Sequence, residues 1–197
     1  MPEKRKVGIL AVQGDFHKHI EAIKSAGIKD VETVEVRTPQ DLDHVTALII
    51  PGGESTTVGL LLQRYGLAKA IAKMAKQGTP VWGTCMGMIL MAKSIQDRPD
   101  QFTLGLLDIT VQRNAFGRQL HSFEDKVAIQ GLDHPILAVF IRAPVVASQG
   151  KNVQTLATYQ GQTVAVRQGN LIGTSFHPEL TDDPSFHRWF LNLRPHK

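Results

Sequence analysis

The chain has 197 residues, 42% hydrophobic and 20% charged, with a net charge of +4 and a pI near 9.3, which suits one globular domain spanning residues 1–197. Lys and Arg are scattered except for Lys4-Arg5-Lys6, which argues against a nucleic-acid surface, and no apolar run approaches membrane-spanning length. The single cysteine excludes an internal disulfide and points to a reducing, cytoplasmic setting.

Val7–Val12 is a continuous apolar run and reads as a first strand buried on both faces, not as a signal peptide. Gln13-Gly14-Asp15 turns the chain, with Asp15 placed to cap the next helix. Phe16, Ile20 and Ile23 recur at helical spacing until Gly27. Val31–Val36 alternates as a second strand, 39–44 connects, and Ala47–Ile50 is a third strand, apolar throughout. Buried strands with a crossover helix imply an α/β fold around a mostly parallel sheet.

Pro51-Gly52-Gly53-Glu54-Ser55-Thr56-Thr57 leaves that third strand directly and leads into a helix with Val58, Leu61, Leu62 and Tyr65 on one face. Its glycines expose backbone N–H groups at a strand end, where open parallel sheets bind ligands. A plain turn capped by Ser55 or Thr56 is the simpler alternative, and no Gly-Lys-Ser/Thr follows to make a phosphate loop. Leu67–Lys76 is a further helix, stopped by Gly78.

Val81-Trp82-Gly83-Thr84-Cys85-Met86-Gly87 then reads as a short strand, a sharp turn and a helix start, with the cysteine at the apex. That is the geometry of a nucleophile elbow. The helix, expected to run to about Ile95, would aim free N–H groups at Cys85, favouring the thiolate and a developing oxyanion. A buried structural cysteine between two turn glycines explains the same residues.

Gln96–Thr103 is polar and reads as an exposed loop, and Leu104–Val111 as a strand. Arg113–Gln119 and His121–Glu124 are polar without a clear period, as in loops that carry function. Short strands follow at Val127–Ile129, Val139–Arg142, Val153–Tyr159, Thr163–Arg167 and Leu171–Phe176, with a hairpin turn at 168–170. Strands so closely spaced require antiparallel pairs in the second half. Pro184 starts a last helix with Phe186, Trp189, Phe190 and Leu193 on one face.

A thiolate needs a base, and the base an orienting group. His17, His19, His44, His187 and His196 read as exposed, and His121 and His134 as loop residues. His177 stands at a strand end with Glu179 two residues on and Pro178 fixing the turn, so Glu179 can hold one ring nitrogen while the other faces Cys85. A surface turn is the simpler account of His177-Pro178-Glu179. No close Cys/His cluster suggests a metal.

Gly83-Thr84-Cys85-Met86-Gly87 with His177-Pro178-Glu179 resembles the triad of class I glutamine amidotransferases. Pro51–Thr57, Arg113–Arg118, Ser122–Glu124, Phe140–Pro144 and Ser175–Leu180 narrow the resemblance to the glutaminase subunits of pyridoxal 5'-phosphate synthase. It covers nearly the whole chain. Met86 departs from it, since that family commonly has a small residue after the nucleophile, and the larger side chain would crowd the pocket.

The resemblance implies a flavodoxin-like three-layer αβα fold with a central, mostly parallel sheet. It implies that Cys85 attacks the glutamine side-chain amide, that His177 shuttles the proton and that Glu179 orients it. It assigns glutamine binding to Gly53, Glu54, Ser55, Arg113, Ile141 and Arg142, and the oxyanion hole to the N–H groups of Gly53 and Met86. An arginine suits an α-carboxylate because it pairs bidentately. No metal or cofactor is implied, and pyridoxal phosphate is the product of the complex. The implied partner is a separate synthase subunit, which receives ammonia through a protected route and helps set a Gly52-Gly53 loop that rests unproductive in the lone chain. Competing accounts are the glutaminase of imidazole glycerol phosphate synthase, a non-enzymatic flavodoxin-like redox sensor, and an inactive scaffold.

Overall fold

A computed structural model describes residues 4–116 and 122–193. The expectations placed on Gly117, Arg118, Gln119, His121 and His196 therefore lie outside the described residues.

The chain begins β1 (Arg5–Leu10), α1 (Phe16–Ser25), β2 (Val31–Val36), a 3-10 turn (Pro39–Leu42) and β3 (Val45–Ile50). It continues α2 (Ser55–Arg64), α3 (Leu67–Lys76), β4 (Val81–Thr84), α4 (Met86–Met91), β5 (Ala92–Ile95) and β6 (Leu107–Gln112). The second half adds β7 (Ser122–Val127), β8 (Ile136–Ile141), β9 (Val145–Gln149), β10 (Gln154–Tyr159), β11 (Gln162–Gln168) and β12 (Leu171–Thr174). A 3-10 turn (Pro178–Leu180) and α5 (Ser185–Leu191) complete it.

The main sheet runs β2-β1-β3-β4-β12-β11-β9-β6-β5, with β10 also paired to β11. The five strands from β2 to β12 are mutually parallel, while β12-β11, β11-β9 and β9-β6 are antiparallel. A β7-β8 hairpin lies apart. Neighbouring residues on the parallel strands enter opposite cores: Leu10, Ile50 and Val81 pack with α2, α3 and α4, whereas Ile9, Ile49 and Trp82 pack with α1 and α5. That alternation explains why these strands are apolar at every position. It makes the three-layer αβα arrangement that the sequence implies.

Several expectations need correction. The helix after Cys85 ends at Met91, and Ala92–Ile95 is a strand parallel to β6, with Ser94 hydrogen-bonded to Thr110 at 2.9 Å. The run from Met88 to Ala92 is buried at every residue, so it carries no period to mark the change. Ser122–Glu124 belongs to β7, a solvent-facing strand whose polar residues hid it. Asp15 makes no side-chain cap to α1, and Glu54, rather than Ser55 or Thr56, caps α2. Strand β9 was not expected at all.

Candidate active site

The register of the parallel strands assembles the site. Ile50 of β3 lies beside Gly83 of β4, and Thr174 of β12 beside Thr84. The segments 51–54, 85 and 175–179 therefore leave the sheet together at its C-terminal edge, where open α/β sheets place ligands. Cys85 N–H donates to Thr174 O at 2.7 Å, tying the elbow to the strand that delivers the histidine.

Cys85 has φ 49° and ψ −103°, a conformation that costs a non-glycine residue roughly 1–3 kcal/mol and persists only where its surroundings hold it. Its flanking glycines are required by contact. A Cβ on Gly83 would run into the backbone of Gly87, and one on Gly87 into the carbonyl of Ile50. The elbow is thus folded tightly on itself and pressed against β3.

His177 Nδ1 lies 2.7 Å from Glu179 Oε1, and the Glu179 side chain is only 1% exposed. Burial works against a charged imidazole, but hydrogen bonds and charge from Cys85 and Glu179 outweigh it and raise His177 to about 10. Burial likewise opposes the Glu179 carboxylate, yet His19 and His177 hold its carboxyl well below the usual carboxylate range. Both directions favour an imidazolium held against the Glu179 carboxylate. The Cys85 sulfur also lies 3.8 Å from Ile141 O.

A cleft of about 340 Å3 opens over the sulfur. Its walls include Gly53, Glu54, Ser55, Cys85, Met86, Arg113, Ile141, Arg142 and His177, so every site residue expected from the sequence meets there except Glu179, which stands behind His177. Ile89 and Asn114 also line it and were not expected. Arg142 and Asn114 both have positive φ, 46° and 49°, and both are exposed at the rim. Glu54 turns its carboxylate onto the N–H groups of Thr56 and Thr57 at 3.1 and 2.7 Å. Those hydrogen bonds overcome its desolvation and lower it to about 2. Its own N–H donates to Gln13 Oε1 at 3.1 Å, and a Cβ on Gly14 would strike the carbonyl of Gly52. The Gln13-Gly14 turn therefore braces the Gly52-Gly53 loop. Met86 is 1% exposed, and its terminal methyl lies 3.3 Å from where a Gly53 Cβ would stand.

Two groups escaped the sequence reading. Gln101, within the segment taken as an exposed loop, donates to Ser55 Oγ at 2.8 Å and accepts from Arg113 Nη1 at 3.1 Å. It links two cleft residues from different elements. His19 and His187, expected on exposed faces, are fully buried behind Glu179. A signal existed: His19 continues the Phe16-Ile20-Ile23 stripe at helical spacing, and His187 directly follows the inward Phe186.

Comparison with known proteins fits this geometry. Curated relatives named pyridoxal 5'-phosphate synthase subunit PdxT include one from Niallia circulans, 50% identical over 95% of this chain and 97% of its own length. Another, from Thermus thermophilus, is 50% identical over 95% of this chain and 96% of its own. A crystal structure of a glutamine amidotransferase, 47% identical, superposes with a TM-score of 0.88 over 94% of this chain and 96% of that one. PurLQS from Thermotoga maritima, 18% identical, shares the fold with a TM-score of 0.67 over 96% of this chain and 98% of its own. The model of the SNO glutamine amidotransferase family matches residues 9–194, and the chain belongs to that family.

Proposed function

We propose that this chain is the glutaminase of a pyridoxal 5'-phosphate synthase, a single domain that works in the cytoplasm. The observation that carries the reading is the convergence of Cys85, His177 and Arg113 on one cleft, with Glu179 holding the far side of the imidazole. The names of relatives about half identical over nearly the full chain support the pathway.

In this reading Arg113 and Arg142 pair with the α-carboxylate of L-glutamine, while Gly53, Glu54, Ser55 and Ile141 shape the site around it. Glu54 acts through backbone and position, since its carboxylate is committed to the α2 cap. The Cys85 sulfur adds to the side-chain amide carbon, and the N–H groups of Gly53 and Met86 take the oxyanion. His177 passes its proton to the leaving nitrogen, ammonia departs and a thioester remains. Water, deprotonated by His177, then cleaves the thioester to glutamate and restores the thiolate. Ammonia passes to a synthase subunit docked over the cleft. In this reading the Gln13-Gly14 turn that braces the Gly52-Gly53 loop is the lever through which a docked partner sets that peptide.

The test is glutamate and ammonia release by the chain alone and with a pyridoxal phosphate synthase subunit, alongside Cys85→Ala. Release that depends on the synthase and disappears in the variant is expected. Strong release that ignores the synthase would move the chain to another amidotransferase pathway. Absence of release in both would overturn the glutaminase reading.

A further inference from the structure

Behind the expected triad lies a buried set of side chains that the proposed reaction leaves unused. Glu179 Oε1 takes His177 Nδ1 at 2.7 Å and also faces His19 Nε2 at 3.5 Å. The same His19 nitrogen lies 3.3 Å from Thr84 Oγ1, one residue before the nucleophile. On the other side of the ring, His19 Nδ1 meets His187 Nε2 at 3.0 Å. Both histidines are fully buried, and Trp82 meets each ring edge-on. Glu179 Oε2 is buried without a partner, so the carboxylate depends on imidazoles alone among the described residues.

We propose that His19 is a positioning residue for the glutaminase reaction, donating its Nε2–H to Glu179 and Thr84 and so extending the Cys85-His177-Glu179 array through α1 to His187 on α5. The inference rests on the triad reading and deepens it. A carboxylate with one partner can swing, and a swinging carboxylate fails to hold the imidazole in the tautomer whose Nε2 serves the nucleophile. With two imidazoles on one oxygen, Glu179 is fixed from both sides. His187 fixes His19 in turn: its Nε2 is the nitrogen that meets His19 Nδ1, while its own Nδ1 is buried without a partner among the described residues, so a proton on His187 Nε2 donated to His19 Nδ1 leaves the His19 proton on Nε2, facing Glu179. The titratable groups that face His19 are Glu179 from the 3-10 turn and His187 from α5, with His177 one step on, while β4 contributes only Thr84 and Trp82.

Cys85 is the only cysteine of the chain, so its alkylation by iodoacetamide reports thiolate at that one site. Alkylation rates would be measured against pH for wild type, His177→Gln, His19→Leu and His19→Gln, with kcat and KM for glutamine in the presence of the synthase subunit. His177→Gln is expected to move the alkylation midpoint up by about 1 pH unit or more. His19→Leu should move it in the same direction, with kcat down roughly 10- to 100-fold and KM within about twofold. His19→Gln, which returns an N–H near the Nε2 position, should recover most of the loss. If His19→Leu lowers only Tm and leaves the midpoint and kcat alone, His19 is packing and the proposal is wrong. If His177→Gln leaves the midpoint unmoved, the triad reading itself fails and takes this one with it. Ring 15N NMR of the wild type serves if the leucine variant does not fold: a protonated His19 Nε2 is expected, and a bare one overturns the proposal.

Discussion

Gly52→Ala adds one methyl group and should disable the base without touching the nucleophile. Gly52 is absent from the positive-φ glycines, so alanine meets no backbone penalty there and the effect isolates the contact. Its Cβ would fall within 3.0 Å of His177 Cε1 and 3.2 Å from Nδ1. Ordinary carbon contacts begin at about 3.5 Å, so one partner must retreat by more than roughly 0.5 Å. The imidazole cannot retreat freely, because Nδ1 is held at 2.7 Å by Glu179, whose side chain is buried. The Gly52-Gly53 loop is blocked on its other side by Gly14. Overpacking of this kind costs about 1–3 kcal/mol of stability. Displacing a catalytic group by up to 1 Å costs on the order of 100-fold in rate. Glutamate release with the synthase subunit, together with a urea melt, separates the two effects. A variant that keeps full kcat while losing stability would show that the loop, not His177, absorbs the methyl, and the bracing argument would fall.

Stability should peak near pH 6.5. His177 is raised from 6.5 to about 10, so the folded chain keeps a proton the unfolded chain releases. Its contribution is whole below pH 6.5 and is lost as pH rises to about 10. His187 is lowered from 6.5 to about 3, so the unfolded chain takes the proton first and stability falls as pH drops through that window. Urea midpoints from pH 4 to 10 should fall on both sides, and His177→Gln should flatten the alkaline side; a flat wild-type profile contradicts the assignment. Gln101→Ala removes hydrogen bonds to Ser55 and Arg113, and at about 1 kcal/mol should raise KM for glutamine roughly fivefold with kcat nearly unchanged. Steady-state kinetics would refute this if kcat fell and KM did not. Met86→Ala should cost about 2–4 kcal/mol in urea unfolding, since the side chain is buried, yet lower KM by widening the cleft that Met86 lines. A raised KM would show instead that Met86 shapes the substrate site.

The parallel half of the fold was legible in the sequence because its physics is local. Strands β1, β3 and β4 are buried on both faces and so are apolar along their inner lengths, and α2 and α3 carry one apolar stripe each. The elbow was legible for a related reason: Gly83 and Gly87 stand where only glycine fits between packed backbones. His177 and Glu179 were readable as a pair because two residues of chain fix their distance. The end of α4 was not readable, since a stretch buried on all sides has no period, and β7 was hidden by its solvent-facing residues. The tertiary structure alone decided which distant groups share the cleft. Sheet register brings Ile50, Thr84 and Thr174 to one edge, which places the Gly-Gly loop, the cysteine and the histidine together. Helix packing joins His19 to His187, 168 residues away in the chain, and buries both behind Glu179. Such a pairing is set by how whole layers dock, and no local pattern of residues encodes it.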